Sequence, residues 1–163
     1  MPKDKYPVTT AIRALREKNI EFEPFEYEYE EKGGTHQTSV VLGVDEHAVV
    51  KTLVFETDRG SGLIALMHGD CEVSAKELAR IIGAKTVAPC SADKATKLTG
   101  YKFGGTSPFG TRTKLPIYCE ATIMALPKIY INGGKQGFIL GINPQDMRKV
   151  FDIAEVNVAI KSH

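Results

Sequence analysis

The sequence predicts a mixed α/β fold, and three observations carry that expectation. Short runs rich in β-branched residues recur between turn-forming glycines, the pattern of strands. Other short segments set apolar residues at helical spacing between a serine or threonine cap and a closing glycine. These helices do not alternate regularly with the strands, so a doubly wound parallel sheet is disfavoured and short, mostly antiparallel strands are expected.

Taken in order, Thr9 or Thr10 caps a helix whose apolar positions Ile12, Leu15 and Ile20 fall at helical spacing. FEPFEYEYE alternates aromatic and acidic residues, which sets Phe25, Tyr27 and Tyr29 on one face of a strand. THQTSVVLGV reads as a helix ending at Gly43. AVVKTLVFET and GLIALMH, joined through DRGSG, read as a hairpin. SAKELARIIGA is a helix with Ser74 as cap, Leu78, Ile81 and Ile82 inward, and Gly83 as terminator. SADKATKLTG is a second one, from Ser91 to Gly100. LPIYCEAT, KIYING and GFILGI are expected strands, with Asn132–Gly133 as a candidate hairpin turn. Pro144 starts a helix through Lys149, and IAEVNVAI closes the chain as one strand.

The 163 residues suit a single domain over 1–163 with one core. With 21 basic and 20 acidic residues the net charge is +1, which excludes a broad cationic surface and confines any nucleic-acid contact to a local patch. Basic residues gather at Lys94, Lys97, Lys102, Arg112 and Lys114, whereas acidic ones crowd 21–31. Cys71, Cys90 and Cys119 are odd in number and widely spaced, which speaks against a disulfide framework or zinc site and for a reducing cytosol. His36, His47, His68 and His163 show no ligand spacing, and each reads as a core or surface histidine; no metal or cofactor is expected. No apolar run approaches the ~18 residues of a membrane span, so a cytoplasmic protein with no membrane or DNA partner is expected.

Two features stand out from this background. In AVVKTLVFE, Lys51 shares one face with Val49, Leu53 and Phe55, while Val50, Thr52 and Val54 take the other. The lysine either snorkels from an edge strand or brings a partly buried ammonium to an anion or a polarised carbonyl. The second feature is GYKFGGTSPFGTRTKLPIY, residues 100–118, where Gly104, Gly105 and Gly110 bracket Thr106, Ser107 and Pro108. That is more backbone freedom than a simple reversal needs. The loop either packs tightly and binds nothing, or lets a ligand approach the main chain. INGGKQG repeats the glycine-rich composition, and neither stretch is a Walker or dinucleotide motif.

Taken together, VVKTLV, TGYKFGGTSPFGTRTKLPIY and IYINGGKQGF, in that order and spacing, closely resemble the YbaK-type aminoacyl-tRNA deacylases. This is the Cys-tRNA(Pro) deacylase family, related to the editing domain inserted in bacterial prolyl-tRNA synthetases. The resemblance implies a mostly antiparallel, barrel-like sheet surrounded by short helices, and metal-independent removal of a wrongly attached amino acid from tRNA. Lys51 matches the family's functional lysine, Gly104 to Pro108 its GxxxP loop, and Tyr27 a tyrosine on the first strand. Where cysteinyl-tRNA deacylases of the family carry an aspartate, two residues after the last glycine of GGKQG, this chain has Ile139.

The resemblance therefore implies catalytic roles for Lys51, Gly104, Gly105 and Ser107. Substrate contacts are expected at Tyr27, Thr106, Pro108, Gly110, Gly133, Gly134 and Ile139, and the basic Arg112 and Lys114 are expected to meet tRNA phosphates along the acceptor stem. Backbone N–H groups of the loop would stabilise charge on the former carbonyl oxygen, each by roughly 2.7–4 kcal/mol. Water attacks, or the substrate's own thiol where the amino acid is cysteine. The expected substrate is Cys-tRNA(Pro), and Cys-tRNA(Cys) after it, with a prolyl-tRNA synthetase as a candidate third partner. The alternatives are editing of Ala-tRNA(Pro), a non-catalytic tRNA- or synthetase-binding module, and a small-molecule anion pocket.

Overall fold

The computed structural model describes residues 5–161, so His163 lies outside the described residues. Helix α1 (Thr10–Glu17) starts where Thr9 accepts the Ile12 N–H, and its apolar stripe of Ala11, Ile12 and Leu15 is fully buried. Ile20 is buried too, beyond the helix, after the chain turns through Asn19 at φ 55°. Strand β1 (Glu23–Glu26) is shorter than the alternation predicts. Tyr27 and Tyr29 leave it to form the segment leading into α2 (Gly34–Leu42), which ends at a left-handed Gly43. Strands β2 (Val49–Thr57) and β3 (Gly62–His68) form the expected hairpin. After β4 (Cys71–Val73) come α3 (Ala75–Ile82), capped by Ser74, then β5 (Val87–Pro89) and α4 (Ala92–Thr99), capped by Ser91. In α3 the inward residues are Leu78 and Ala79, whereas Ile81 is 42% exposed.

The remaining elements are β6 (Ile117–Glu120), the single-turn α5 (Ala121–Met124), β7 (Ile129–Lys135), β8 (Phe138–Ile142), β9 (Ala154–Val156) and β10 (Ala159–Lys161). Pro144–Lys149 winds as a 3-10 helix rather than an α-helix. The main sheet runs β1-β8-β7-β2-β3-β6-β9, with β5 also paired to β2. Its hairpins are antiparallel, but β2–β7, β3–β6 and β6–β9 are parallel, so the sheet is mixed and does not close.

The predicted last strand is two. β9 extends the main sheet, whereas β10 pairs with β4 in a separate ribbon. The crossover is fixed by the buried Glu120 carboxylate, which accepts the Val158 N–H at 2.7 Å. One apolar cluster packs α1 against β7, β8 and the Phe109 loop, and a second packs α3 against the other face of the β2–β3 hairpin.

The GG pair differs from its expected role. Gly133 and Gly134 lie inside β7, and the reversal into β8 falls at Gln136–Gly137. The ladder shifts register between Asn132 and Lys135, and Asn132 Oδ1 holds this bulge by accepting the N–H groups of Gly134 (2.7 Å) and Lys135 (3.2 Å). A Cβ on Gly133 would come within 2.7 Å of the Phe138 ring, so the second glycine cluster serves close packing.

Candidate functional site

A cleft of about 1320 Å³ opens where β2 parts from β7. The two strands pair only at Val49↔Tyr130 and Val50↔Ile131, and β2 next meets β5 at Phe55↔Pro89. Between those points its edge has no strand neighbour. The diverging wall is Lys51–Val54, faced by Ile139, Asn132 and Gln136, by the 102–106 loop, and by the Tyr27–Thr38 segment.

Lys51 extends its ammonium to the Cys71 carbonyl, 2.6 Å away. Its side chain therefore rests on a neutral acceptor at the start of β4, and among the described residues no carboxylate lies within ion-pair distance of it. Next to it, Thr52 Oγ1 is the single buried side-chain polar atom without a hydrogen-bond partner among the described residues. An unmade bond of that kind is costly, so a cleft wall is where it is best tolerated.

The glycine loop is tied down at each end. Asn132 Nδ2 donates to Gly104 O (3.3 Å), Gln136 Nε2 donates to Phe103 O (2.7 Å), and the Gly105 N–H donates to Lys102 O (2.8 Å). Gly104 depends twice over on lacking a side chain, having φ 84° and the Tyr29 hydroxyl where a Cβ would sit. Beyond Thr106 the loop dives inward. Ser107, Pro108 and Phe109 are buried, Phe109 stacks on Phe151 at 5.7 Å, and the Tyr101 hydroxyl donates to the Phe109 carbonyl. Burial pushes the Tyr101 phenol well above its ordinary range.

The structure thus divides the sequence-expected residues. Tyr27, Lys51, Gly104, Thr106 and Ile139 line the cleft together. Gly105, Ser107, Pro108, Gly110, Gly133 and Gly134 form the packed support behind it. Ser107 Oγ accepts the Phe109 N–H at 3.3 Å and is wholly inaccessible, so its oxygen serves the loop's own turn. Gly110, at φ 67°, lies against Thr10 and Ala14 of α1. Arg112 and Lys114 are exposed on a bend tied to the end of α4, away from the cleft lining. Ile139 faces the cleft while its neighbours Phe138, Leu140 and Ile142 join the core.

Sequence reasoning missed Thr52, Tyr29, Lys102 and Phe103 as cleft residues. The alternation of the Lys51 strand and the acidic-aromatic run carried a signal for the first two. Tyr27 and Tyr29 both contribute, Tyr27 through its hydroxyl on Thr38 Oγ1 (2.7 Å) and Tyr29 against Gly104.

Just outside the cleft, the β2–β3 hairpin brings together histidines that are far apart in sequence. His47 and His68 stack with centroids 3.6 Å apart. His68 Nδ1 donates to His47 O and its Nε2 meets the Thr122 hydroxyl, both at 2.6 Å, so the carbonyl fixes a proton on Nδ1. Burial pushes the pKa of His68 down. His47, Asp70 and Cys71 form a donor group that could hold a metal ion, the His47 Nδ1 to Asp70 distance being 2.9 Å. Partial burial raises the Asp70 carboxyl, but hydrogen bonding and charge from His47 outweigh it and hold it below its ordinary value. The three cysteines are free, and burial pushes the Cys119 thiol up to about 12.

Comparison with known proteins places this geometry in context. Residues 32–150 match the model of the aminoacyl-tRNA editing domain. The chain is 25% identical over 138 residues to EbsC of Enterococcus faecalis, a candidate Cys-tRNA(Pro)/Cys-tRNA(Cys) deacylase, covering 84% of each protein. It is 30% identical over 123 residues to the proline–tRNA ligase of Streptococcus equi subsp. equi, covering 74% of this chain but 20% of the ligase. A crystal structure of a candidate trans-editing enzyme for prolyl-tRNA synthetase superposes with a TM-score of 0.77 at 20% identity, covering 94% of this chain and 99% of that one. Among the described residues no helix is long and apolar enough to cross a membrane.

Proposed function

We propose that this chain, which belongs to the aminoacyl-tRNA editing domain family, deacylates mischarged tRNA in trans within the cleft beside β2. The observation that carries this reading is Lys51, an ammonium with a carbonyl partner and, among the described residues, no carboxylate, lining the same cleft as Gly104 and Thr106. A cation so placed attracts a phosphate or the carbonyl region of the acylated 3′ end. The Gly105 N–H is already committed to Lys102 O, so donation to a developing oxyanion falls to the N–H groups of Gly104 and Thr106. Ser107 is buried and hydrogen-bonded within its turn, which favours water, or a substrate thiol, as the attacking group.

Ile139 on the cleft wall supports selection by size rather than by a protein anion on the substrate ammonium. Small side chains such as those of cysteine and alanine suit that wall, because one methylene changes discrimination by only ~1–3 kcal/mol. Cysteine holds the further advantage that its thiol reacts intramolecularly. The free-standing relative matched over most of its length supports Cys-tRNA(Pro) as substrate in the cytoplasm, and the ligase relatives support a prolyl-tRNA synthetase as delivering partner. Cysteinyl-, alanyl- and seryl-tRNA are to be compared with the wild type and Ile139→Asp. Cysteinyl-tRNA should be cleared fastest by the wild type, and the substitution should change the ranking. A wild type that spares cysteinyl-tRNA and clears alanyl-tRNA moves the assignment to alanine editing, and one that cleaves none refutes the enzymatic reading.

A further inference from the structure

Phe103 is 73% exposed, whereas the other aromatic rings of the glycine loop, Tyr101 and Phe109, are buried. The other large exposed hydrophobics among the described residues, Val8, Val40, Val41, Ile81 and Ile160, are aliphatic. The ring is displayed from a pinned backbone. Its own carbonyl accepts from Gln136 Nε2, and the carbonyl of the next residue, Gly104, accepts from Asn132 Nδ2. Phe103 also lines the cleft, beside Lys102, and the cleft's carboxylates, Glu31 and Glu46, come instead from the segments flanking α2. A planar apolar face on a fixed loop, next to a cation and at a cleft mouth, is the combination that single-stranded nucleic acid uses.

Connectivity identifies the occupant. The ester cleaved under the reading above is carried by the ribose of the 3′-terminal nucleoside, and that ribose also carries its base. If the acyl carbonyl reaches the Gly104 backbone, the base lies one sugar ring away, and Phe103 Cα is only ~3.8 Å from Gly104 Cα. We propose that Phe103 is the stacking platform for the terminal nucleobase of the acylated strand, with Lys102 beside it for the adjoining phosphate. Stacking on a ring is tolerant of base identity, so this subsite positions the 3′ end and leaves the choice of amino acid to the wall around Ile139.

The test rests on the deacylase reading for its substrate but reads binding separately from turnover. The probe is an acceptor-stem RNA hairpin whose 3′-terminal base is 2-aminopurine, which loses fluorescence when stacked. Wild type and Phe103→Tyr should quench it on binding. Phe103→Leu keeps apolar bulk without a π-face, and should bind about 5- to 150-fold more weakly with the quench lost. Its melting curve should stay at the wild-type position, because the ring is outside the core. Quenching and affinity in Phe103→Leu equal to wild type overturn the proposal, as does a wild type that binds without quenching or does not bind. Deacylation by the wild type, followed on charged tRNA in parallel, decides the deacylase reading on its own.

Discussion

Gly105→Ala isolates the packing of the glycine loop from its chemistry. Gly105 is not among the left-handed residues, so alanine meets no conformational penalty there. The obstacle is space: an added Cβ would sit 2.7 Å from Gln136 N, 2.9 Å from Lys135 C and 3.1 Å from Lys135 Cα. These are backbone atoms of the β7–β8 reversal and cannot swing aside as a side-chain tip does. Relief requires the loop to lift from the reversal, which pulls Gly104 O from Asn132 and Phe103 O from Gln136. Overpacking of this sort costs about 1–3 kcal/mol. For a chain of this length that corresponds to a melting temperature roughly 2–12 °C lower. Turnover should fall more than tenfold, since Gly104 and Thr106 move with the loop. Thermal denaturation and single-turnover deacylation measure the two effects. Unchanged melting together with unchanged turnover would show that the loop does not depend on its contact with the reversal.

Lys51→Ala should abolish deacylation while removing only ~1 kcal/mol of stability, that of one hydrogen bond to a carbonyl; an active alanine variant refutes the role. Lys51→Arg should also fail, because a planar fork does not replace a compact ammonium. Ser107→Ala should lower stability by about 1–2 kcal/mol through the lost Phe109 contact and leave chemistry within tenfold; a variant dead at the chemical step would make serine the nucleophile after all. His68 is held neutral in the fold with its pKa lowered, so the unfolded chain binds the extra proton first. Its contribution to stability is complete above the ordinary histidine pKa of about 6.5 and is lost as pH falls below it. Denaturant midpoints at pH 7.5 and 5.5 should therefore drop on acidification, and by less in His68→Gln; equal drops count against the assignment.

Much of this was legible from local chemistry. Ser74 and Ser91 cap their helices, and Gly43, Gly83 and Gly100 end helices in the left-handed region, because capping depends on residues a few positions apart. The lone lysine in β2 was equally plain. What stayed hidden depends on tertiary placement. Asn132–Gly133 has the composition of a hairpin turn, yet the Asn132 side chain uses its oxygen to hold a bulge, and the reversal moves on to Gln136–Gly137. Ser107 has a hydroxyl suited to chemistry, and only the burial of Pro108 and Phe109 beside it shows that the hydroxyl belongs to a turn. IAEVNVAI alternates like one strand, but Glu120, distant in sequence, takes the Val158 N–H and divides it.

The glycine-rich loop joins these two kinds of information. Its composition suggested a main chain open to close approach, and the approach that Gly105 permits is to the backbone of the β7–β8 reversal. Its N–H is spent on Lys102 O, and Gly104 is tied to Asn132, the residue whose other side-chain atom holds the β7 bulge. That bulge lies just beyond the last β2–β7 pair, where the cleft opens. Asn132 thus links the divergence of two strands to the position of the loop that faces the diverging wall. Residues that look like two separate glycine motifs act as one support, and the side chains it leaves on the cleft lining include Lys51, Thr52, Tyr27, Tyr29, Ile139 and the rim of Lys102 and Phe103.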